Sequence, residues 1–193
     1  RTMRFLSIGE AMVELAPLAN ESEFKLGFAG DTFNTAWYLA RLAPAAQVSY
    51  FTAVGDDSIS AQMRSAIRDA GVVDSFIKVD PTRSVGLYMI SLNNGERSFS
   101  YWRGQSAARR MVEDEAVLLK ALAAHDLIFL SGITLAVLEQ PGRDRLIELL
   151  GQARSQGKII AFDPNLRPRL WANDQEMTSA IMDAAAVSDI ALP

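Results

Sequence analysis

Ile159-Ile160-Ala161-Phe162-Asp163-Pro164-Asn165-Leu166-Arg167 is an unbroken apolar run that passes directly into a stiff polar loop. Four apolar residues in succession fit a strand buried on both faces, as in a parallel sheet with helices on either side. In such a sheet, ligands bind at the carboxyl ends of the strands, which is where Asp163 begins. Pro164 and Pro168 stiffen the loop. In an extended segment the alternation of Asp163, Asn165 and Arg167 would aim three polar side chains the same way. A surface loop with scattered charges is the other reading, but packing gives little reason for Asp-x-Asn-x-Arg at a strand end.

Outward from this stretch, strand and helix signals alternate. Phe5 to Ile8, Val48 to Val54 and Leu127 to Leu130 read as short apolar strands, and Asp189 to Leu192 begins another. Between them lie amphipathic helices. Phe33, Ala36, Trp37 and Ala40 make one buried stripe over Asp31 to Ala43, and Ile59, Met63, Ala66, Ile67 and Ala70 make a second. Gly71 and Gly157 are placed to end helices, the second after Arg143 to Ser155, and a further helix covers roughly Gln175 to Ala186. The expectation is a three-layer α/β/α fold around a mostly parallel sheet.

Ser84 to Arg103 departs from that rhythm. Val85, Leu87 and Met89 alternate with Tyr88 and Ile90, Asn93-Asn94-Gly95 is a hairpin turn, and Phe99, Tyr101 and Arg103 share a face on the return strand. Apolar groups on both faces predict a hairpin that buries one side on something other than the main core, either as a lid over a site or as a clasp against a second subunit.

Composition sets bounds. Of 193 residues, 49% are hydrophobic and 22% charged, and the net charge of −4 gives no electrostatic reason to expect nucleic acid or an anionic membrane as a partner. No apolar run reaches the roughly eighteen residues of a membrane span. Without cysteine, disulfides, thiolate nucleophiles and cysteine metal sites are excluded, and a cytoplasmic location is the default expectation. The single histidine, His125, cannot build a histidine-rich metal site and is expected at a helix end or on the surface.

Two further segments carry chemistry. In Gly27-Phe28-Ala29-Gly30-Asp31-Thr32-Phe33-Asn34-Thr35-Ala36, Gly30 allows close backbone approach to a ligand. Asp31 and Thr32 suit an N-cap, and Asn34 in the first turn could both donate to and accept from a hydroxyl. An ordinary capped helix after a glycine turn explains the pattern equally well. The segment lacks the Gly-Lys-Ser/Thr ending of a phosphate-binding loop and the Gly-x-Gly-x-x-Gly of a dinucleotide site. In Tyr101-Trp102-Arg103, the arginine fork suits a carboxylate or phosphate and the tyrosine adds a hydroxyl on an apolar body; a solvated hairpin with aromatic cross-strand pairs is the alternative.

Taken together and in order, these segments resemble the ribokinase-like (PfkB) carbohydrate kinases. Ser7-Ile8-Gly9-Glu10 is similar to that family's opening strand and turn, Gly30 to Ala36 to its first signature, Thr52-Ala53-Val54-Gly55-Asp56-Asp57 to its "vGdD" segment, and Asp163 to Arg167 to its "DxNxR" loop. Ile8 to Leu15, Ala29 to Thr32, Tyr101 to Arg103 and Asp163 to Trp171 are most similar to 2-keto-3-deoxygluconate kinases. The resemblance implies ATP-dependent phosphorylation of a small sugar acid with Mg²⁺, leaving room for a monovalent cation. It places Gly30, Asp31 and Asn34 on the sugar hydroxyls, Tyr88, Tyr101 and Arg103 in the lid, and Ile133 in the pocket wall by its backbone. Asp163, Asn165 and Arg167 would lie near the transferred phosphate, and Arg167 near the sugar acid as well. It also implies a β lid from about residues 11–29 and 84–106, and the hairpin within it suggests a homo-oligomer formed through that lid.

The family's second signature, a Gly-Ala-Gly-Asp loop carrying the anion hole and the base aspartate, does not occur before Pro193. The expectation is therefore an N-terminal portion of one kinase domain, residues 1–193. The nucleotide-binding portion and the base would lie beyond Pro193, and the chain alone would be inactive. A fructokinase- or ribokinase-type enzyme, or a non-catalytic sugar-binding module if the chain is natively this short, are the alternatives. Only the resemblance favours a sugar acid, since two arginines could equally serve a phosphate.

Overall fold

The computed structural model describes residues 1–193. In chain order the strands are β1 (Arg4–Ile8), β2 (Met12–Pro17), β3 (Phe24–Ala29), β4 (Gln47–Gly55), β5 (Ile77–Asp80), β6 (Leu87–Asn93), β7 (Glu96–Trp102), β8 (Leu127–Ser131), β9 (Ile159–Asp163) and β10 (Ile190–Ala191). The helices are α1 (Asp31–Leu42), α2 (Ser58–Asp69), α3 (Glu115–Ala124), α4 (Gly132–Val137), α5 (Gln140–Ser155) and α6 (Asp174–Ala186). Six strands make an all-parallel sheet in the order β10-β9-β8-β1-β4-β5. The other four form a second sheet, β3-β2-β6-β7.

The period of two along each central strand divides the core into two layers. Leu6 and Ile8 of β1, Phe51 and Ala53 of β4, and Ile160 and Phe162 of β9 face one way, into a cluster completed by α3, α4, α5 and α6. Phe5 of β1, with Val48, Tyr50 and Val54 of β4, faces the other, against Phe33 and Ala36 of α1 and Met63 and Ile67 of α2. Leu6, Ile8, Ile128, Leu130, Ile160 and Phe162 are fully buried. Each such side chain contributes about 1.5–3 kcal/mol of burial, so the three strands ending at the site are firmly anchored in the sheet. This is the expected three-layer fold.

Differences from the sequence reading have physical causes. β5 is a four-residue edge strand, too short for periodicity to register. α4, Gly-Ile-Thr-Leu-Ala-Val, is too short to show a helical period and was not anticipated. It turns helical because Ser131 and Thr134 form a reciprocal capping box, and Thr134 Oγ1 donates to the Ile8 carbonyl at 2.8 Å. His125 does stand at a helix end, as the cap of α3, but it is buried. Its Nδ1 donates to the Ala121 carbonyl at 2.6 Å and its Nε2 lies 2.9 Å from Ser49 Oγ. Burial lowers its pKa and holds it neutral.

Candidate active site

The site is built where β1, β8 and β9 end. α1 begins at Asp31, with Gly30 as its cap residue in extended conformation and no side-chain cap. This corrects the expectation that Asp31 or Thr32 caps the helix. Gly30 is required by space, because a Cβ there would lie 2.2 Å from the Glu10 carbonyl oxygen. The Asp31 carboxylate is then free for other work: Oδ1 accepts from the Thr32 amide at 2.8 Å and Oδ2 accepts from Asn165 Nδ2 at 2.8 Å. Two motifs 134 residues apart are thus joined by one hydrogen bond.

That bond needs a bent loop, so the extended geometry expected for Asp163 to Arg167 is not found. Asn165 has φ 32°, in the left-handed region that asparagine tolerates. Asp163 Oδ1 accepts from the Asn165 amide at 3.0 Å, turning the chain after β9. The three polar side chains therefore diverge. Asp163 shapes the loop, Asn165 reaches Asp31, and Arg167 is exposed, its Nη1 donating to the Leu166 carbonyl at 2.9 Å.

The second sheet supplies the opposite wall. Its hairpin closes on Asn94 and Gly95, both at positive φ (51° and 83°), which pairs Asn93 with Glu96 and fixes the register. That register places Tyr88 opposite Tyr101 and, across the parallel β2–β6 pair, opposite Glu14. The Tyr88 hydroxyl donates to Glu14 Oε2. Burial, and then that carboxylate, raise the phenol pKa, so it stays protonated. Tyr101 and Phe99 stack beside it, ring centroids 5.9 and 6.2 Å from Tyr88.

Between lid and loop lies a cleft of about 770 Å³. Arg97, Ser98, Phe99, Tyr101 and Arg103 line it from the lid, and Ile133, Arg167, Pro168, Arg169 and Leu170 from the sheet edge. Of the residues singled out in the sequence, Tyr101, Arg103, Ile133 and Arg167 come together here. Gly30, Asp31, Asn34, Tyr88, Asp163 and Asn165 are not in its walls. Asn34 is exposed in the first turn of α1. No carboxylate lines the cleft, so its four arginines make it strongly cationic. Arg97 and Arg169 were not singled out from sequence. Arg97 lies on the same strand face as Tyr101, a signal that the alternation already contained.

Arg103 is not free in the way the sequence implied. Its Nε and Nη2 donate to Glu10 Oε1 at 2.8 and 2.5 Å, and Ser106 Oγ donates to Glu10 Oε2. The anion beside Arg103 is the protein's own. Glu10 was read only as part of an opening turn. The signal for it was a carboxylate placed directly after a buried strand and a glycine, where burial requires a cationic partner.

A parallel three-layer α/β core with a separate four-stranded sheet and a cleft at the carboxyl edge of its strands is the architecture that the resemblance to ribokinase-like proteins implied. The chain belongs to the pfkB family of carbohydrate kinases, which it matches over residues 3–193. It is 40% identical over 195 residues to a 2-dehydro-3-deoxygluconokinase of Dickeya dadantii, an alignment covering 98% of this chain and 62% of that protein. Among solved structures, a PfkB protein from Polaromonas superposes with TM-score 0.84 at 30% identity, covering 100% of this chain and 66% of that one. A fructokinase from Xylella fastidiosa with bound ATP gives TM-score 0.82 at 25% identity, over 97% and 56%. The chain thus spans less than two thirds of the length of each.

Proposed function

We propose that this chain forms the acceptor side of a kinase that transfers a phosphoryl group from ATP to a hydroxyl of a small sugar acid, 2-dehydro-3-deoxygluconate. The observation that carries this reading is the cationic cleft under the lid, where Tyr101 and Arg103 meet Ile133 and Arg167, bringing together three separate sequence segments. Its acid-free lining suits an anionic substrate, and the Dickeya relative bears the name of that activity. Arg103 and Arg167 would hold the carboxylate, Tyr101 would cover the carbon chain, and the backbone at Ile133 would close the wall. Gly30, Asp31 and Asn34 would meet the sugar hydroxyls, with Tyr88 behind them, and Asp163 and Asn165 would hold the loop that presents Arg167 toward the transferred phosphate.

In this reading residues 1–193 are the N-terminal portion of one kinase domain, with the lid formed by about 11–29 and 84–106. The base that deprotonates the attacking hydroxyl, and most contacts to ATP, would come from the length of the relatives that this chain does not span. ATP would supply the phosphoryl group. The similarity to a fructokinase with bound ATP supports it as donor, and a cytoplasmic setting accords with it. A divalent metal would accompany the nucleotide. No three His, Cys, Asp or Glu side chains here stand close enough to hold one between them, and no residue of this chain is assigned to a metal. What these residues do is position the acceptor, and positioning is a large share of catalysis in phosphoryl transfer.

The test is ADP release by the complete protein on 2-dehydro-3-deoxygluconate, fructose and ribose, with R103A and R167A alongside. Each charge-assisted hydrogen bond is worth roughly 1.5–3 kcal/mol, so each variant should lose about tenfold to a hundredfold in kcat/KM on the sugar acid. Preference for fructose or ribose, or unchanged kinetics in both variants, would overturn the assignment.

The lid also supports a homo-oligomer. Its alternation places Leu15, Leu26, Leu87, Met89 and Trp102 on the face opposite Tyr101 and Arg103. Trp102 is 56% and Leu26 45% exposed. Contiguous apolar surface of this kind marks interaction sites, and a second copy laid on this face would cover it. Light scattering should return a dimer for the wild type and a monomer for Trp102→Glu. A monomeric wild type would remove the proposal.

A further inference from the structure

We propose that Glu10 is a positioning residue for Arg103: its buried carboxylate fixes which edge of the guanidinium is offered to a substrate anion. The proposal rests on the sugar-acid reading above and deepens it. Glu10 lies just past the end of β1, with its side chain 1% exposed, while Arg103 lies just past the end of lid strand β7 and is 12% exposed. A carboxylate buried so completely is costly unless it is paired and its oxygens are hydrogen-bonded. Both conditions are met, since Oε1 takes two N–H donors from Arg103 and Oε2 takes the Ser106 hydroxyl.

The pairing solves a placement problem. The Arg103 side chain stands between two clefts, one with Tyr101, Ile133 and Arg167, the other with Thr82, Ser84 and Arg110. A long flexible side chain left unpaired at such a point would divide its time between them. Glu10 engages Nε and Nη2, so the Nη1 group is the one without a partner. A guanidinium held on one edge loses less freedom when its other edge binds a ligand. Glu10 need not touch the substrate to act in this way. It also stands within reach of the Gly30 region, as the close approach of its carbonyl to Gly30 shows, so the anion-binding and hydroxyl-binding parts of the site are referred to one residue.

The decisive variant is Glu10→Gln in the complete protein, which keeps the shape and one acceptor oxygen but removes the charge. The expected result is a rise of about tenfold in KM for 2-dehydro-3-deoxygluconate, with kcat and the KM for ATP changed less than about twofold. Ser106→Ala removes the other partner of Glu10 and should leave KM near that of the wild type. In the ¹⁵N spectrum the Arg103 Nε–H, assigned by its loss in Arg103→Lys, should be protected from exchange in the wild type and lose protection in Glu10→Gln. Should Glu10→Gln not fold, Arg103→Lys takes its place, retaining the charge but not the fork, with the same KM rise expected.

An unchanged KM, or equal losses on sugar acid and neutral sugar, would reduce Glu10 to a structural tie and overturn the proposal. A lowered KM would show Glu10 competing with the substrate, with the same consequence. A wild type inactive on sugar acids would sink the functional reading instead. The exchange measurement would still decide whether Glu10 holds Arg103.

Discussion

Gly132→Ala should lower kcat/KM of the complete enzyme by about a hundredfold while costing several degrees of melting temperature. Gly132 is the first residue of α4, directly after β8 and its cap Ser131. A Cβ there would lie 1.9 Å from the Pro164 carbonyl oxygen and 2.9 Å from Ile181 Cδ1. The Ile181 contact is the end of a flexible side chain and can yield. The Pro164 contact is backbone, and it belongs to the loop that turns Asn165 toward Asp31. Overpacking typically costs about 1–3 kcal/mol, and a clash with backbone belongs at the upper end, roughly 6–10 °C for a chain of this size. The larger effect is on geometry. Moving the loop by about 1 Å would displace Asn165 from Asp31 and shift Arg167 in the cleft wall, and misplacement on that scale can cost about a hundredfold in rate. A variant that melts lower but retains kcat/KM would show that the loop is not the sensitive element. Serine at this position should be as damaging, since the clash is with the first side-chain atom.

The contrast between that contact and the motifs explains how much of the fold was legible in the sequence. The central strands were, because a sheet covered on both faces writes short apolar runs into Phe5 to Ile8, Leu127 to Leu130 and Ile159 to Phe162. The hairpin was, because Asn94 and Gly95 carry its turn chemistry. The short pieces were not: β5 has too few residues to show a period, and α4 owes its helicity to a capping box and to a hydrogen bond with Ile8, far away in sequence. The same division runs through the site. Residue types at the ends of strands pointed to Asp31, Asn165, Arg103 and Arg167. Their partners were not readable, because Asn165 meets Asp31 and Arg103 meets Glu10 only once the chain has folded. A local pattern names the donors and acceptors present but does not pair them, which is why Arg103 was expected to be waiting for a substrate and instead holds a carboxylate of its own protein.

Arg143→Ala should be the most destabilising of the charged-residue substitutions, by about 3–5 kcal/mol. Arg143 lies in the first turn of α5 and is 6% exposed. Its Nε donates to the Leu135 carbonyl at 3.0 Å and its Nη2 to the Leu138 carbonyl at 3.1 Å, satisfying the end of α4. Nη1 donates to Glu176 of α6 at 2.9 Å, and the guanidinium sits 4.5 Å from the centroid of the Trp171 ring. One side chain therefore joins α4, α5, α6 and the turn leading out of the Asp163 loop, behind Leu170 in the cleft wall. Alanine leaves the Leu138 carbonyl without its donor and the Leu135 carbonyl with only the Leu138 amide, and it opens space against Trp171; a buried polar group left unpaired costs roughly 1–3 kcal/mol on its own. The melting temperature should fall by about 10 °C. Arg143→Lys should recover only part of this, because an ammonium cannot reproduce the fork. Glu176→Gln, which weakens only the partly exposed ion pair, should cost about 1 kcal/mol or less. The order alanine, then lysine, then the Glu176 variant is the result to look for in thermal denaturation. If Arg143→Ala melted within about 2 °C of the wild type, the carbonyl contacts could not be what holds α4 in place, and the wall containing Ile133 would need another anchor.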